Sequence, residues 1–469
     1  MEAVVDPHQA LQEILGPEIE AMLAAGQTKE VHDSLVHLIE PEIADVLLFL
    51  SPHHRAVAFR LLPRDRAAEV FTYLPFETQE ALLEQLTSDQ MAQLFNAIAP
   101  DDRAELFDEL PGALVQRVMN LITPENRHIT ELLLNYPEQS VGRFMTPNYL
   151  RLKADWTMQR ALDHIRQRGR AAGSLDTLYV TDDRNHLLHE VRLQDVLFAE
   201  PTAKIATLSG GMVPSLRATD DQEEAVRAME RYDRPVLPVV EKDNTLVGIV
   251  TFDDVADVAE EEVTEDIQKM AAVEALDEPY IDVSIPTLVR KRAVWLGILF
   301  FGQMATISAL EHFEGHLQKA AVLMLFIPLL ISSGGNTGSQ AASLIIRALS
   351  LGEITIYDWW RVMRREVLCG LSLGALLATF GALRVWAGEW FGWSDYGGYA
   401  GLVSLTVAAS LLVIVLWGTL VGSMLPIILK RLGLDPASSS TPLVSTLMDV
   451  TGIVIYFMTA LTLLRGTLL

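Results

Sequence analysis

The chain has 469 residues, half of them hydrophobic, and a formal net charge of −25. A chain this acidic repels nucleic acid and anionic lipid and favours cations as partners. Its only cysteine, Cys369, excludes an intrachain disulfide.

The charge is unevenly divided along the chain. From Pro286 onward there are twelve Lys and Arg against nine Asp and Glu, a net of +3, so the first 285 residues carry −28. The first residues are acidic and lack an apolar core, so we expect no signal peptide. These patterns predict an acidic soluble half followed by a membrane half. We find no nucleophile–base set, phosphate-binding loop or His/Cys metal cluster in the sequence, and therefore do not expect an enzyme.

Residues 39–134 repeat with a period of 24. The units begin at Ile39, Pro63, Thr87 and Pro111. A second register position holds Leu62, Leu86, Leu110 and Leu134, and a third holds Arg55, Gln79, Arg103 and Arg127. A proline near the middle of each unit suits the start of a second helix. The repeat predicts an all-α helical solenoid over residues 1–137, either a sensing or docking surface or a spacer.

Beyond residue 137, short β-rich runs alternate with helical stretches in two similar copies, residues 138–200 and 201–258. The segment HEVRLQDVL of the first copy corresponds to GIVTFDDVA of the second. The pair resembles tandem CBS domains, small α/β modules that often bind adenine nucleotides. We expect the pair to act either as a nucleotide sensor or as a dimerising scaffold without a ligand.

The CBS resemblance implies a nucleotide site in the second copy and leaves nucleotide binding by the first copy open. Gly248, Thr251 and Asp254 fit the family's Gly-x-x-Thr-x-x-Asp signature, in which the threonine and aspartate contact ribose and phosphate. In the first copy His189 and Arg192 stand where the glycine and threonine would be.

Residues 259–285 begin strongly acidic and continue with Ile267, Met270, Ala271 and Val273. This spacing fits an amphipathic helix, so we expect residues 259–285 to form a connecting helix and linker to the membrane half.

Residues 286–469 contain five apolar segments, each long enough to span a bilayer. They are Ala293–Leu310, Ala320–Leu349, Val367–Trp386, Leu402–Leu429 and Pro442–Leu464. Basic clusters at residues 290–292, 361–365 and 430–431 fall on one side of the membrane if the soluble half is cytoplasmic. We therefore expect a multi-pass protein of the cell (inner) membrane, in contact with lipid, with its C-terminus outside.

Asp449 lies in the middle of the last apolar segment. A carboxylate at that depth costs at least ~2.5–3.5 kcal/mol on insertion scales, so it must face protein or water rather than lipid. Ser445 and Thr441 lie four and eight residues before it, on the same helical face. This polar stripe predicts a cation path; the alternative is a carboxylate buried for helix packing.

Two further motifs complete the pattern: GGNTGSQ at residues 334–340 and TPLVSTLMDVTG at residues 441–452. With the order of the domains, they resemble the MgtE family of magnesium channels over nearly the whole chain. The resemblance implies a homodimer with a pore on the two-fold axis, lined chiefly by the second and fifth membrane helices. Asn336 and Thr337 would then offer oxygens to water on the ion, and Gly334 and Gly335 would allow bending or close packing.

The same resemblance implies that cytoplasmic Mg²⁺ binds the acidic domains and closes the pore, with ATP as a candidate modulator. The family's sensor acids fall on Asp221, Glu223, Asp233, Asp254, Asp257, Glu265 and Asp266. In the solenoid the candidates are Asp101, Asp102 and Glu105. Two other functions stay open: a divalent-cation carrier coupled to another ion, and a nucleotide-sensing membrane receptor without transport.

Overall fold

A computed structural model describes residues 7–208, 210–276, 280–281, 283–314, 321–396 and 398–467. The chain divides into two compact units, Met1–Ala259 and Glu260–Leu469. The predicted solenoid residues 1–6, the linker residues 277–279 and 282, and Ala320 of the second apolar segment lie outside the described ranges.

The first unit begins with ten helices that correspond to the predicted solenoid. They are α1 Pro7–Ala24, α2 Thr28–Val36, α3 Glu40–Phe49, α4 Pro52–Arg60, α5 Arg64–Thr72, α6 Phe76–Gln85, α7 Ser88–Ala97, α8 Pro100–Glu109, α9 Gly112–Leu121 and α10 Pro124–Leu134. The residues that precede α3, α5, α7 and α9 are the four predicted unit starts. Each repeat is therefore a pair of short helices.

A side chain from the second helix of a repeat caps the end of the first. Arg55 Nε donates to the Leu47 carbonyl at 2.8 Å, Gln79 Nε2 to Phe71 at 3.0 Å, and Arg103 Nη1 to Phe95 at 3.0 Å. In each case the acceptor lies eight residues before the donor. The last carbonyls of a helix have no intrahelical partner, so this repeated contact satisfies groups that the core would otherwise bury unpaired.

The next part of the first unit contains two three-stranded sheets. The first has the order β1-β2-β3 and the second β4-β5-β6, each with one parallel and one antiparallel pair. The elements are α11 Val141–Phe144, β1 Arg151–Lys153, α12 Met158–Arg168, β2 Thr177–Thr181, β3 Leu187–Arg192, α13 Leu193–Phe198, β4 Leu216–Arg217, α14 Gln222–Tyr232, β5 Val236–Val240 and β6 Leu246–Thr251. This is the predicted α/β pair.

The two copies exchange short segments in space. Thr146, from the start of the first copy, bridges to Ile249 in the second sheet. Conversely, the Ile205 amide donates to the Trp156 carbonyl at 2.9 Å, and Ile205 is buried in the core of the first sheet. A boundary at residue 200 along the chain therefore does not separate the two cores in space.

Helix α15 runs from Phe252 to Met270. Ala271 and Val273, which we expected on the amphipathic helix, therefore lie beyond its end. Ala272 adopts a left-handed conformation with φ +59°, and the Val273 amide donates to the Gln268 carbonyl at 3.0 Å. This reversal caps the helix and stops it.

The second unit contains the five predicted membrane helices. They are α16 Ile285–His312, α17 Ile327–Ser350, α18 Trp359–Trp390, α19 Ala400–Arg431 and α20 Thr441–Leu463. By length and composition all five can cross a membrane. In the most apolar 18-residue stretch of α19, half of the residues are buried inside the chain. In the corresponding stretch of α16, none is buried. Helix α19 is therefore central, and α16 presents its apolar side chains outward.

Candidate functional site

Asp449 lies near the middle of α20 and is half-buried. Its carboxylate accepts a hydrogen bond from the side-chain amide of Gln303 on α16. Next to this contact, a Cβ on Gly302 would lie 2.8 Å from the Thr446 Cγ2. The two helices therefore approach closely at this level. The partner of the carboxylate is a neutral amide, which orients the charge without cancelling it.

Sequence reasoning missed Gln303. The signal was available, because Gln303 is the one amide side chain in the first apolar segment. A lone polar side chain inside a membrane segment is a functional candidate, just as a lone charge is.

The glycines of the GGNTGSQ motif allow α17 to pack tightly against α19 and α20. A Cβ on Gly334 would lie 2.6 Å from Ile414 Cγ2, and one on Gly335 would lie 3.0 Å from Ser445 Oγ. On the facing side, a Cβ on Gly418 would lie 2.6 Å from the Gly334 carbonyl oxygen. These positions therefore serve close packing, which sets the distance between the motif and Asp449.

The other predicted pore residues differ in their exposure to solvent and in their hydrogen bonds. Asn336 is exposed, and its amide lies 3.4 Å from Ser332 Oγ. Ser445 and Thr441 are half-buried on the face of α20 that carries Asp449, and the Thr441 carbonyl accepts from Ser339 of α17 at 3.3 Å. Thr337 is buried, and its hydroxyl donates to the Ser333 carbonyl of its own helix at 2.6 Å. This bond uses the hydroxyl hydrogen and leaves the oxygen able to accept, so the predicted contact of Thr337 with a hydrated ion stays a prediction.

In the first unit the structure brings together acidic residues from two domains. Asp101 and Asp102 lie in the first turn of α8, and Asp253 and Asp254 lie in the first turn of α15. Asp101 Oδ1 is shielded from solvent and has no hydrogen-bond partner among the residues that the structure describes. We call Asp101, Asp102, Asp253, Asp254 and Asp257 the interdomain acidic cluster.

The charges of this cluster oppose one another. Burial, with the nearby charges of Asp254 and Asp102, raises the pKa of Asp101 to about 8. Burial, with the charges of Asp253 and Asp257, also raises the pKa of Asp102. Burial raises the pKa of Asp254 to about 6, although the Thr251 hydroxyl donates to it. A cation between the two helices would relieve both the burial of charge and the repulsion.

Within the described residues, no three acidic, histidine or cysteine side chains are arranged to ligate a bare metal ion.

The remaining predicted sensor acids are dispersed. Asp221 caps the start of α14 by accepting from the Glu223 amide at 3.0 Å, and Asp233 ends the same helix with φ +51°. Glu223 pairs with Arg227 at 2.5 Å. Glu105 is exposed on α8, one turn beyond the interdomain acidic cluster. Asp221, Glu223 and Asp233 thus have local structural roles at the ends of α14.

Glu265 and Asp266, on the last turns of α15, belong to the second unit and contact other residues of that unit. Lys269 Nζ lies 2.5 Å from Glu265 and 2.7 Å from Asp435, and Asp266 accepts from Ser350 Oγ at 2.8 Å. Burial raises the pKa of Asp266, and the charge of Asp435 adds to this rise. We call Glu265, Asp266, Lys269 and Asp435 the Lys269 cluster. Lys269 and Asp435 were missed, although Asp435 lies in the GLDP segment directly before the last membrane helix.

The predicted nucleotide residues of the second copy lie together at the end of β6. The Thr251 hydroxyl donates to the Asp254 carboxylate, and the Thr251 amide lies 3.4 Å from it. A Cβ on Gly248 would lie 2.7 Å from Met145 Sδ, so this position requires glycine for packing. His189 takes the place of Gly248 in the first sheet, as the strand registers show, and its Nδ1 is buried without a partner.

Three family models match the chain. The model described as a divalent cation transporter matches residues 327–459, the one described as an MgtE intracellular N domain matches 39–139, and the CBS domain model matches 141–201 and 212–261.

Two named relatives are similar in sequence. A protein named magnesium transporter MgtE from Thermus thermophilus is 37% identical over 97% of this chain and its own full length. One of the same name from Bacillus subtilis is 34% identical over 70% of each chain. The crystal structure of the cytosolic domain of the Mg²⁺ channel MgtE in complex with ATP matches with 31% identity and a TM-score of 0.50, over 52% of this chain and 99% of that one.

Proposed function

This chain belongs to the MgtE family of divalent cation transporters, and on that premise we propose that it forms a Mg²⁺-selective channel that imports Mg²⁺. The observation that carries the proposal is the setting of Asp449. Its charge lies inside an apolar helix and is held by the neutral amide of Gln303. A carboxylate inside an apolar helix needs a cation to balance its charge. Gln303 is neutral and does not provide that charge.

We further propose that two copies assemble around the ion path. One Asp449 from each copy then gives a pair of carboxylates across a two-fold axis. Mg²⁺ releases its inner waters reluctantly and binds proteins through one or two carboxylates, so a pair facing a wide passage suits the hydrated ion. The outward apolar face of α16 supports either contact with a second copy or contact with lipid.

Regulation is proposed to come from the interdomain acidic cluster and the Lys269 cluster. Cytoplasmic Mg²⁺ would offset the repulsion between α8 and α15, favour their close packing, and close the pore. When Mg²⁺ falls, the same repulsion would loosen the packing and open the pore. A ligand shifts such an equilibrium only by its difference in affinity for the two states, and unrelieved acidic repulsion provides that difference.

ATP is the proposed second regulator, at Gly248, Thr251 and Asp254. The crystal structure of the similar MgtE cytosolic domain is a complex with ATP, which supports nucleotide binding by this half of the chain. Asp254 also belongs to the interdomain acidic cluster, so nucleotide and Mg²⁺ would act on the same residue.

The test is Mg²⁺ flux into liposomes that contain the purified chain, with wild type beside Asp449→Asn. Asparagine keeps the shape of the side chain and removes the charge, so we expect flux to be lost. Glu389→Gln, an exposed acid at the end of α18, is the matched control and should conduct. Full conduction by Asp449→Asn would make Asp449 structural. Saturable flux that dissipates an imposed pH gradient would instead indicate a coupled carrier, and no flux from any variant would favour a receptor.

A further inference from the structure

The first unit contains a cavity of about 730 Å³ beside the first sheet. Basic and aromatic side chains line much of it: Tyr149, Arg151, Lys153, Trp156, Arg168 and Arg170. Glu125, from the start of α10 in the solenoid, forms part of the opposite wall. The volume is in the range of ~300–1,000 Å³ that small-molecule sites occupy.

The cavity concentrates positive charge within an acidic half of the chain. Its lining contains four Lys and Arg against three acids, Glu125, Asp182 and Asp183, whereas the first 285 residues carry −28. Burial, with the charges of Arg168, Arg151 and Arg160, lowers the pKa of the half-buried His164 in the wall. The positive charges of several guanidinium groups therefore reach His164 in the cavity wall.

The nearby acids do not neutralise the arginines. Asp183 pairs with Lys153 at 2.5 Å, and Asp182 pairs with His186 at 2.8 Å. Within the described part of the chain, Arg168 and Arg170 have no ion pair, and Arg151 contacts only the side-chain oxygen of Asn185 at 3.3 Å. These three side chains keep their donors for a ligand.

The fold does not require this lining, as the second copy shows. Strand register aligns β1 with β4, and Thr157 and Asp221 cap α12 and α14 at the same position. On that alignment Ser215 takes the place of Arg151, and Tyr232 that of Arg168. The same architecture therefore folds without arginine at the positions of Arg151 and Arg168, so the presence of these two in the first copy needs another explanation.

We propose that this cavity binds a soluble phosphorylated anion with several negative charges, such as a polyphosphate or a phosphorylated nucleoside. Arginine donors suit phosphate oxygens in a bidentate manner, and the volume exceeds what one phosphate needs. Tyr149 and Trp156 provide flat apolar surface for a ring. The site is separate from Thr251 and Asp254, and it does not depend on whether the chain conducts Mg²⁺.

The experiment is a calorimetric titration of the purified full chain in detergent with inorganic tripolyphosphate, in buffer with chelator and no Mg²⁺. We expect saturable binding of one tripolyphosphate per chain. Arg151→Gln combined with Arg168→Gln should weaken binding by more than about tenfold, because charge-assisted hydrogen bonds are lost. Arg166→Gln is the matched control: it lies on the same helix, pairs with Asp163 at 3.1 Å, and lies outside the cavity lining. It should bind as wild type.

Absence of saturable binding by wild type would overturn the proposal, as would equal binding by the double variant. A repeat in nanodiscs that contain phosphatidylglycerol separates the two sources of phosphate. Binding that persists there supports a soluble ligand, and binding that disappears would assign the cavity to lipid headgroups instead. Arg151 and Arg168 are exposed, so their replacement should not unfold the chain. An unchanged thermal unfolding midpoint of the double variant checks that weaker binding does not come from unfolding.

Discussion

Asp101 on α8 is buried against Asp254 on α15, and burial together with the Asp254 charge raises the pKa of Asp101 to about 8. In the unfolded chain this carboxyl has a pKa of about 3.9. The folded state therefore holds a proton between about pH 4 and pH 8 that the unfolded state has released. The stability contributed by this group falls as pH rises through that window.

Asp101→Asn should remove the loss of stability that comes from ionising this buried carboxyl next to Asp254. In Mg²⁺-free buffer we expect the variant to be more stable than wild type by about 1–2 kcal/mol at pH 8, with a smaller difference at pH 6. Thermal unfolding followed by circular dichroism at both pH values measures it. Asp89→Asn, an exposed acid in the first turn of α7, is the control and should show no such trend. A variant less stable than wild type at pH 8 would contradict the repulsion.

Lys269→Met tests the Lys269 cluster. The ammonium lies between Glu265 and Asp435, so its removal leaves three acids near one another without a counter-charge. When the side that carries the acidic domains is free of Mg²⁺, we expect Mg²⁺ flux to be higher by about fivefold or more, while saturating Mg²⁺ on that side still closes the pore. Liposome flux at graded Mg²⁺ measures this, with the exposed Lys242→Met as control. Unchanged flux without Mg²⁺ would show that Lys269 has no part in closure.

Gln303→Leu keeps the size of the side chain and removes the donor to Asp449. Partners that orient an ion-binding carboxylate commonly change affinity by about tenfold or more when mutated. We expect Mg²⁺ flux to fall by about tenfold with assembly unchanged. Ser308→Ala on the same helix should conduct normally, since Ser308 bonds only to its own helix at 3.5 Å. Equal flux from Gln303→Leu would remove Gln303 from the site.

Gly418→Ala tests the close packing of α17 against α19. The new Cβ would lie 2.6 Å from the Gly334 carbonyl oxygen, a backbone atom that cannot turn aside. Overpacking of this kind costs typically 1–3 kcal/mol, so we expect a lower unfolding midpoint in detergent. Gly401→Ala on the same helix meets nothing within 4 Å and should behave as wild type. Equal midpoints would mean that the helices separate easily at this point.

Arg55→Gln tests the repeated cap of the solenoid. The next repeat carries Gln79 at this position, and Gln79 makes the same bond to the carbonyl eight residues earlier. Arg55→Gln should therefore cost less than about 1 kcal/mol, whereas Arg55→Leu leaves buried carbonyls unpaired and should cost about 1–3 kcal/mol. Chemical denaturation of both variants gives the comparison. Equal losses would show that the contact contributes little.

The helical repeats and the membrane helices could be predicted from the sequence alone. The 24-residue period predicted the helix pairs, because each unit repeats the same buried positions and the same breaks. The five apolar segments predicted the membrane helices, because bilayer thickness sets their length. The end of α15 was not predicted, because apolar spacing continues past Met270 and the left-handed turn at Ala272 carries no glycine to mark it.

By itself the sequence determined the order of the domains and the five apolar segments, and it singled out Asp449 as a candidate, because composition, period and charge are properties of neighbouring residues. Only the tertiary structure decided which distant groups meet. It placed Gln303 on Asp449, Asp101 against Asp254, and Lys269 between Glu265 and Asp435. Such pairs depend on how helices far apart in the chain pack together, and no local pattern records that packing.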